Sequence, residues 1–329
     1  MDEPKSIDSI SRDEYAEYLN DLFFRSLRKD SFGTLCALLR VSGLQDAGWD
    51  PFEESVEAFE DYNWLLEKAT SERSEKSGWR VGLLMYCQLV EMTAPHELLE
   101  NFLRIISGEK YHLRPFGHLI RTKKKQLFSS IPPSAKVKFR ELKKSAEKSS
   151  ENGLVEFINS FFNDDVRNAF FHSDYIITEK YFRWTESGLA QQIHLETLNT
   201  IITNCFSFYG ALLWCHKYWL KELAKTPKFH KWPQYEILEI LSNEDAGVYG
   251  FNVHFSNGNK ATYSRTEKGT ECTNLTIEID GTINFFVGSL DDLERVWKIN
   301  GEPVSASKLK KLNRNSFDTD KSIIYETKL

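Results

Sequence analysis

The hydrophobic period of this chain changes from Gly247 onward, and that change bounds every fold it can adopt. Before it, apolar residues recur at helical spacing: Tyr15, Tyr18, Leu19, Leu22 and Phe23, then Val56, Phe59, Trp64 and Leu65, then Leu154, Phe157, Ile158 and Phe161. Beyond Gly247 the pattern alternates with period two over Val248–Phe255, Lys260–Arg265, Leu275–Ile279 and Ile283–Val287. Asn257–Gly258 and Asp280–Gly281 supply turn chemistry between these runs. Ser289–Ile299 reads as a capped helix and Ser322–Glu326 as a last strand. The expectation is a mainly α protein: a helical bundle followed by a small C-terminal α+β module, with Pro227 and Pro233 marking a linker near 227–234.

Within the helical part, Ser77–Gly78 reads as a break. Trp79 to Ile106 then reads as a helix pair whose second member starts around Pro95, capped by Thr93. Residues 107–150 are the least regular stretch, although 134–149 can form a basic helix. Residues 153–172 return to one helix, Tyr175–Thr185 to an extended excursion, and Leu195–Leu223 to a long aromatic-rich helix. The expected division is an N-terminal helical region over 1–78, a helical domain over 79–226 and the α+β module over 235–329. No internal repeat is visible.

Several function classes fall away on composition. The longest apolar runs, such as Val81–Cys87, are far short of the roughly 18 residues a membrane helix needs. The start, MDEPKSIDSISRDEY, is acidic and polar, so no secretory leader is expected. Five cysteines without a CxxC pair argue against a disulfide framework or a zinc ribbon, so a reducing cytoplasm is the expected location. The Asn274–Leu275–Thr276 sequon then has no consequence. There is no Walker loop, GxGxxG, GxSxG or HExxH. His112 and His118 lack carboxylate or thiol neighbours at ligand spacing. Neither a metal nor a cofactor is expected.

Charge is distributed unevenly. Residues 1–100 hold 10 Lys/Arg against 21 Asp/Glu, whereas 110–148 hold 12 Lys/Arg against Glu141 and Glu147 alone. An acidic chain with one concentrated basic segment is suited to local polyanion binding; the plainer alternative is a solvated linker.

One segment carries candidate chemistry: Asp164-Asp165-Val166-Arg167-Asn168-Ala169-Phe170-Phe171-His172-Ser173-Asp174-Tyr175. Its core is Arg-Asn-x-x-x-His. Cutting RNA without a metal needs a base for the ribose 2′-hydroxyl proton, a donor for the leaving 5′-oxygen and a cation at the phosphorane. Histidine suits either proton role near neutral pH, and the arginine fork grips two phosphate oxygens at once. Residues five apart on a straight helix lie about 140° apart, so Arg167 and His172 share no face. They meet through a distortion near Phe170 or across a two-fold axis from a second chain. The alternative is structural: Arg167 pairs with Asp164 or Asp165, and His172 ends a helix.

Arg167-Asn168-x-x-x-His172, set between a helical hairpin and a long apolar helix, resembles the HEPN superfamily (higher eukaryote and prokaryote nucleotide-binding domains). The resemblance covers about 80–224. It implies a HEPN-like helical bundle and a metal-independent endoribonuclease, such as a toxin, abortive-infection protein or anti-phage effector. It also implies Arg167, Asn168 and His172 as catalytic residues, with Glu91 as the accompanying acidic residue. The partners implied are RNA and a second copy of the chain in a homodimer, and an antitoxin or sensor partner is compatible with it; the short apolar runs give no expectation of a membrane partner. Arg121, Lys123, Lys124, Lys125, Lys136, Lys138, Arg140, Lys143 and Lys144 then become candidate contacts to the RNA backbone. The competing expectation is a HEPN-like scaffold or regulator that binds a nucleotide ligand or a protein without catalysis.

Overall fold

The computed structural model describes residues 8–39, 51–72, 75–122, 130–186, 188–225, 229–232, 235–254, 260–266, 269–277, 283–287 and 323–327. The chain is mainly helical, with antiparallel sheet toward its C-terminus. It divides into two compact units of discontinuous segments. The first comprises Met1–Phe24, Pro51–Leu103 and Phe116–Cys215, and the second Arg25–Asp50, Arg104–Pro115 and His216–Leu329.

The first unit draws on α1 (Arg12–Lys29), α3 (Pro51–Glu72), α4 (Glu75–Glu91), α5 (Thr93–Ile106), α6 (Ala135–Lys148), α7 (Asn152–Phe161), α8 (Asp164–Phe171) and α9 (Leu195–Ala224). Two small sheets interrupt the helices: the pair β1 (Arg121–Thr122) and β2 (Ser130–Ile131), and the meander β3 (Tyr175–Ile177), β4 (Tyr181–Glu186) and β5 (Leu189–His194). Ser77 and Gly78 lie inside α4 and do not break it. One helical glycine costs only about 1 kcal/mol, which the buried face of Leu83, Tyr86, Cys87 and Val90 outweighs.

Aromatic residues fill the centre of this unit. Phe208 on α9 meets Tyr15 of α1 edge-on at 5.4 Å and Phe161 of α7 at 4.9 Å. Phe161 touches Phe139 of α6 at 5.8 Å, and Phe139 meets the His96 ring of α5 at 4.6 Å. Each such side chain, removed from water, contributes on the order of 2 kcal/mol. The His96 Nε2 lies 2.6 Å from the Tyr209 hydroxyl, and burial pushes the imidazole pKa well below its ordinary 6.5.

The expected single helix over 153–172 is two helices. The chain leaves helical geometry at Phe162 and Asn163 and restarts at Asp164. Tyr86, fully buried on α4, fixes this break. Its hydroxyl accepts from the Asn163 N–H at 2.9 Å and faces the carbonyl oxygens of Phe161 and Asn163 at 3.1 and 3.2 Å.

In the second unit, β6 (Phe229–Trp232), β7 (Tyr235–Asn243), β8 (Gly247–His254), β9 (Lys260–Thr266) and β10 (Gly269–Thr273) form a five-stranded antiparallel meander in the order β10-β9-β8-β7-β6. The expected linker near 227–234 therefore contains a strand, β6, paired with β7 through Phe229–Glu239 and His230–Leu238. The helix α2 (Ser31–Leu39) packs on this sheet, with Phe32 edge-on to Phe251 at 5.2 Å and Phe251 stacked on Tyr263 at 5.6 Å. A second antiparallel sheet joins β11 (Leu275–Ile277), β12 (Ile283–Val287) and β13 (Ile323–Thr327). The helix expected over Ser289–Ile299 and both expected turns, Asn257–Gly258 and Asp280–Gly281, lie outside the described residues. Among the described residues no helix is long and apolar enough to cross a membrane.

Candidate active site

The short helix α8 carries the Arg-Asn-x-x-x-His motif, and both of its ends are fixed. At the start, Asn163 is the cap: its Oδ1 accepts from the N–H groups of Asp165 and Val166 at 3.1 and 3.0 Å. Asp164 and Asp165 then occupy the first turn, where negative charge complements the helix dipole. At the other end, the Asp174 N–H donates to the Ala169 carbonyl and the Ser173 N–H to that of Phe170. This is a Schellman closure with Ser173 in the left-handed region at φ 58°.

His172 sits at this C-cap and is exposed. Its N–H still donates to the Asn168 carbonyl at 3.0 Å, and its backbone angles (φ −84°, ψ −2°) stay close to helical. The helical path thus runs unbroken from Arg167 to His172. No distortion near Phe170 swings the two side chains together, and the angular offset of about 140° between them persists.

Arg167 is held from several sides. Nη2 pairs with Glu91 Oε1 of α4, Nη1 donates to Asn168 Oδ1 at 2.7 Å, and Nη1 lies 3.7 Å from Asp164 Oδ1. The guanidinium carbon lies 5.4 Å from the centre of the Phe171 ring. Asn168 turns its Nδ2 to Asp164 Oδ2 at 3.1 Å, and Lys136 Nζ reaches the same oxygen at 2.9 Å. The hydrogen bond to Asp164 raises the Lys136 pKa. Glu91, Arg167 and Asn168 are therefore brought together, whereas His172 lies apart at the exposed helix end.

The candidate RNA-contact residues separate into groups. Helix α6 turns Lys136, Arg140 and Lys144 to solvent along one face. Lys144 sits 3.4 Å from Glu141, and half-buried Lys143 donates to Asn159 Oδ1 at 3.1 Å. Arg121 is exposed on β1, and Lys123, Lys124 and Lys125 lie outside the described residues.

Lys138 is not a surface contact. It is 3 % exposed, and its ammonium donates to the Glu91 carbonyl at 3.2 Å and to Thr93 Oγ1 at 2.9 Å. Burial lowers its pKa, and its charge tops the C-terminus of α4, where the helix dipole favours a cation. The sequence holds the signal for this: Ala135, Lys138, Phe139, Leu142 and Ala146 share the buried helical face.

Asp164 is legible in the sequence as a competing partner for Arg167 and as sharing a helical face with Asn168 and His172, whereas its contact with Lys136 has no local signal. His118 lies 3.5 Å from Glu141, and His112 Nδ1 accepts from the Arg114 N–H at 3.0 Å. His216 Nε2 lies 3.0 Å from the Leu38 carbonyl oxygen. Among the described residues no three of His, Cys, Asp and Glu gather to hold a metal ion. No family model, curated protein or solved structure matches the chain.

Proposed function

We propose that this chain is a metal-independent endoribonuclease of the HEPN type, working as a symmetric dimer on RNA. The observation that carries this reading is the organised cluster of Glu91, Arg167, Asn168 and Asp164 on a short capped helix that ends in exposed His172. In the proposed reaction the ribose 2′-oxygen attacks the adjacent phosphorus. The bond to the 5′-oxygen breaks, leaving a 2′,3′-cyclic phosphate and a 5′-hydroxyl. Two copies of His172 across a two-fold axis supply one proton acceptor and one proton donor, and Arg167 stabilises the phosphorane charge. The exposed cations of α6 supply backbone affinity. Such an activity suits a toxin or anti-phage effector.

The competing scaffold reading has one observation in its favour. Both terminal nitrogens of Arg167 already have partners within the chain, as in a structural ion-pair network. Incubating the purified protein with end-labelled RNA in EDTA separates the two. Cleavage that disappears in Arg167→Ala and His172→Ala, each still folded, supports the nuclease. No cleavage by the wild type, or wild-type rates in either variant, overturns it.

A further inference from the structure

We propose that Asp164 is a positioning residue of this site, one that aims Arg167 through Asn168 without touching RNA, and that Lys136 offsets its charge. The inference rests on the endoribonuclease reading. Asp164 is almost buried, at 12 % side-chain exposure, and stands one turn before Arg167 and Asn168. A carboxylate only accepts hydrogen bonds, so the Asn168 carboxamide must turn its Nδ2 toward Asp164 Oδ2, at 3.1 Å. That choice leaves Asn168 Oδ1 facing Arg167 Nη1, at 2.7 Å. With the carboxamide reversed, an NH2 group would meet the guanidinium and the two donors would oppose each other. The orientation of Asn168 is thus held from both ends, by the donor-only guanidinium at Oδ1 and by Asp164 at Nδ2, and Asp164 anchors the end that Arg167 does not reach.

The arrangement has an electrostatic cost. Asp164 and Glu91 place two negative charges beside the group meant to meet a phosphate. Lys136 Nζ, 2.9 Å from Asp164 Oδ2, offsets one of them, and buried Lys138 lies against the carbonyl of Glu91. Asp165 and Glu186 also act on Lys136, and Glu97 on Lys138, so the added charge of Asp164 is not lightly carried. Asp164 therefore improves geometry at the expense of RNA affinity, and Lys136 restores part of that affinity from the exposed face of α6.

This trade gives an unusual kinetic signature. In Asp164→Asn the acceptor-only carboxylate and its charge are both lost. Per active site, kcat falls by about tenfold or more through misaimed Arg167. KM falls as well, severalfold, because the site becomes more positive. Lys136→Gln gives the opposite split, a raised KM with kcat within about twofold. A merely structural Asp164 would reduce the number of active sites and leave kcat per site and KM unchanged.

The experiment is steady-state cleavage of a labelled RNA with active sites titrated, for wild type, Asp164→Asn, Lys136→Gln and Arg167→Ala. Unchanged kcat per site in Asp164→Asn, or a raised KM there, overturns the inference while the nuclease reading stands, provided wild type cuts and Arg167→Ala does not. Loss of cutting in the wild type overturns the reading itself. If Asp164→Asn folds poorly, Asp164→Glu tests the same point by misplacing the carboxylate. Its kcat per site should fall while KM stays near wild type, because the charge is kept; unchanged kcat per site overturns the inference.

Discussion

Tyr86 and Asn163 meet where α8 begins: the buried phenol accepts the Asn163 N–H at 2.9 Å, and the Asn163 side chain caps the helix that carries Arg167. Burial keeps this phenol protonated, with its pKa well above the ordinary 10. Tyr86→Phe leaves the Asn163 N–H without this partner in a dry environment. The expected loss is about 1–3 kcal/mol of stability, read from urea unfolding. A variant as stable as wild type would show that the break between α7 and α8 is fixed by other contacts.

The two faces of α6 make different predictions for nucleic-acid binding. Arg140→Gln and Lys144→Gln, on the exposed face, should each weaken RNA binding and reduce the slope of log K against log salt by about 0.7. Lys138→Met, on the buried face, should leave that slope unchanged and lower the melting temperature, because the Glu91 carbonyl and Thr93 hydroxyl lose their donor. Fluorescence anisotropy over a salt series measures the slopes. A reduced slope in Lys138→Met would return that residue to the RNA surface.

His96 links stability to pH. Its pKa in the folded chain lies well below the ordinary 6.5, so between those values the unfolded chain takes up a proton that the folded chain refuses. Its cost to stability is absent above about pH 6.5 and grows as pH falls, by up to about 1.4 kcal/mol per pH unit. The groups facing it are the Tyr209 hydroxyl, the Phe139 ring and the Lys138 ammonium. Unfolding of wild type and His96→Gln at pH 7 and pH 5.5 should show the steeper loss in wild type. Equal losses would mean that His96 accepts a proton within the fold.

The legible and illegible parts of the chain differ for physical reasons. Long amphipathic runs such as Leu195–Ala224 announce themselves because packing and pattern agree. The start of α8 carried its own signal, Asn163 before two aspartates, but the apolar run on either side hid it. Its end carried almost none, because Ser173 rather than glycine takes the left-handed position. The strand β7, YEILEILSN, has apolar residues spaced for either a helix or a strand, and its pairing with β6 and β8 decides. At the site, the residue types are readable, while the aim of Arg167 depends on Glu91, 76 positions away.

Assembly follows from what surrounds the motif. Phe161 is fully buried, Phe162 lies against Phe139 at 4.3 Å and Phe170 against Tyr175 at 5.4 Å. Of the four phenylalanines flanking the motif, this leaves Phe171 at 43 % exposure, and Ile176 of β3 is 58 % exposed. With the unbroken helical path separating Arg167 from His172, the proposed chemistry needs a second copy across the 164–175 segment. Sedimentation equilibrium at micromolar concentration should give a dimer. A strictly monomeric protein that still cuts RNA would show that both residues reach one phosphate within a single chain.

The central claim is tested most directly by the ends of the RNA fragments. Wild-type protein incubated with a labelled RNA in EDTA should produce 2′,3′-cyclic phosphate and 5′-hydroxyl termini, with no cutting of the DNA of identical sequence. Arg167→Ala and His172→Ala should produce neither. Fragments ending in 3′-hydroxyl and 5′-phosphate, cutting that stops on chelation, or no fragments from the wild type would contradict the account.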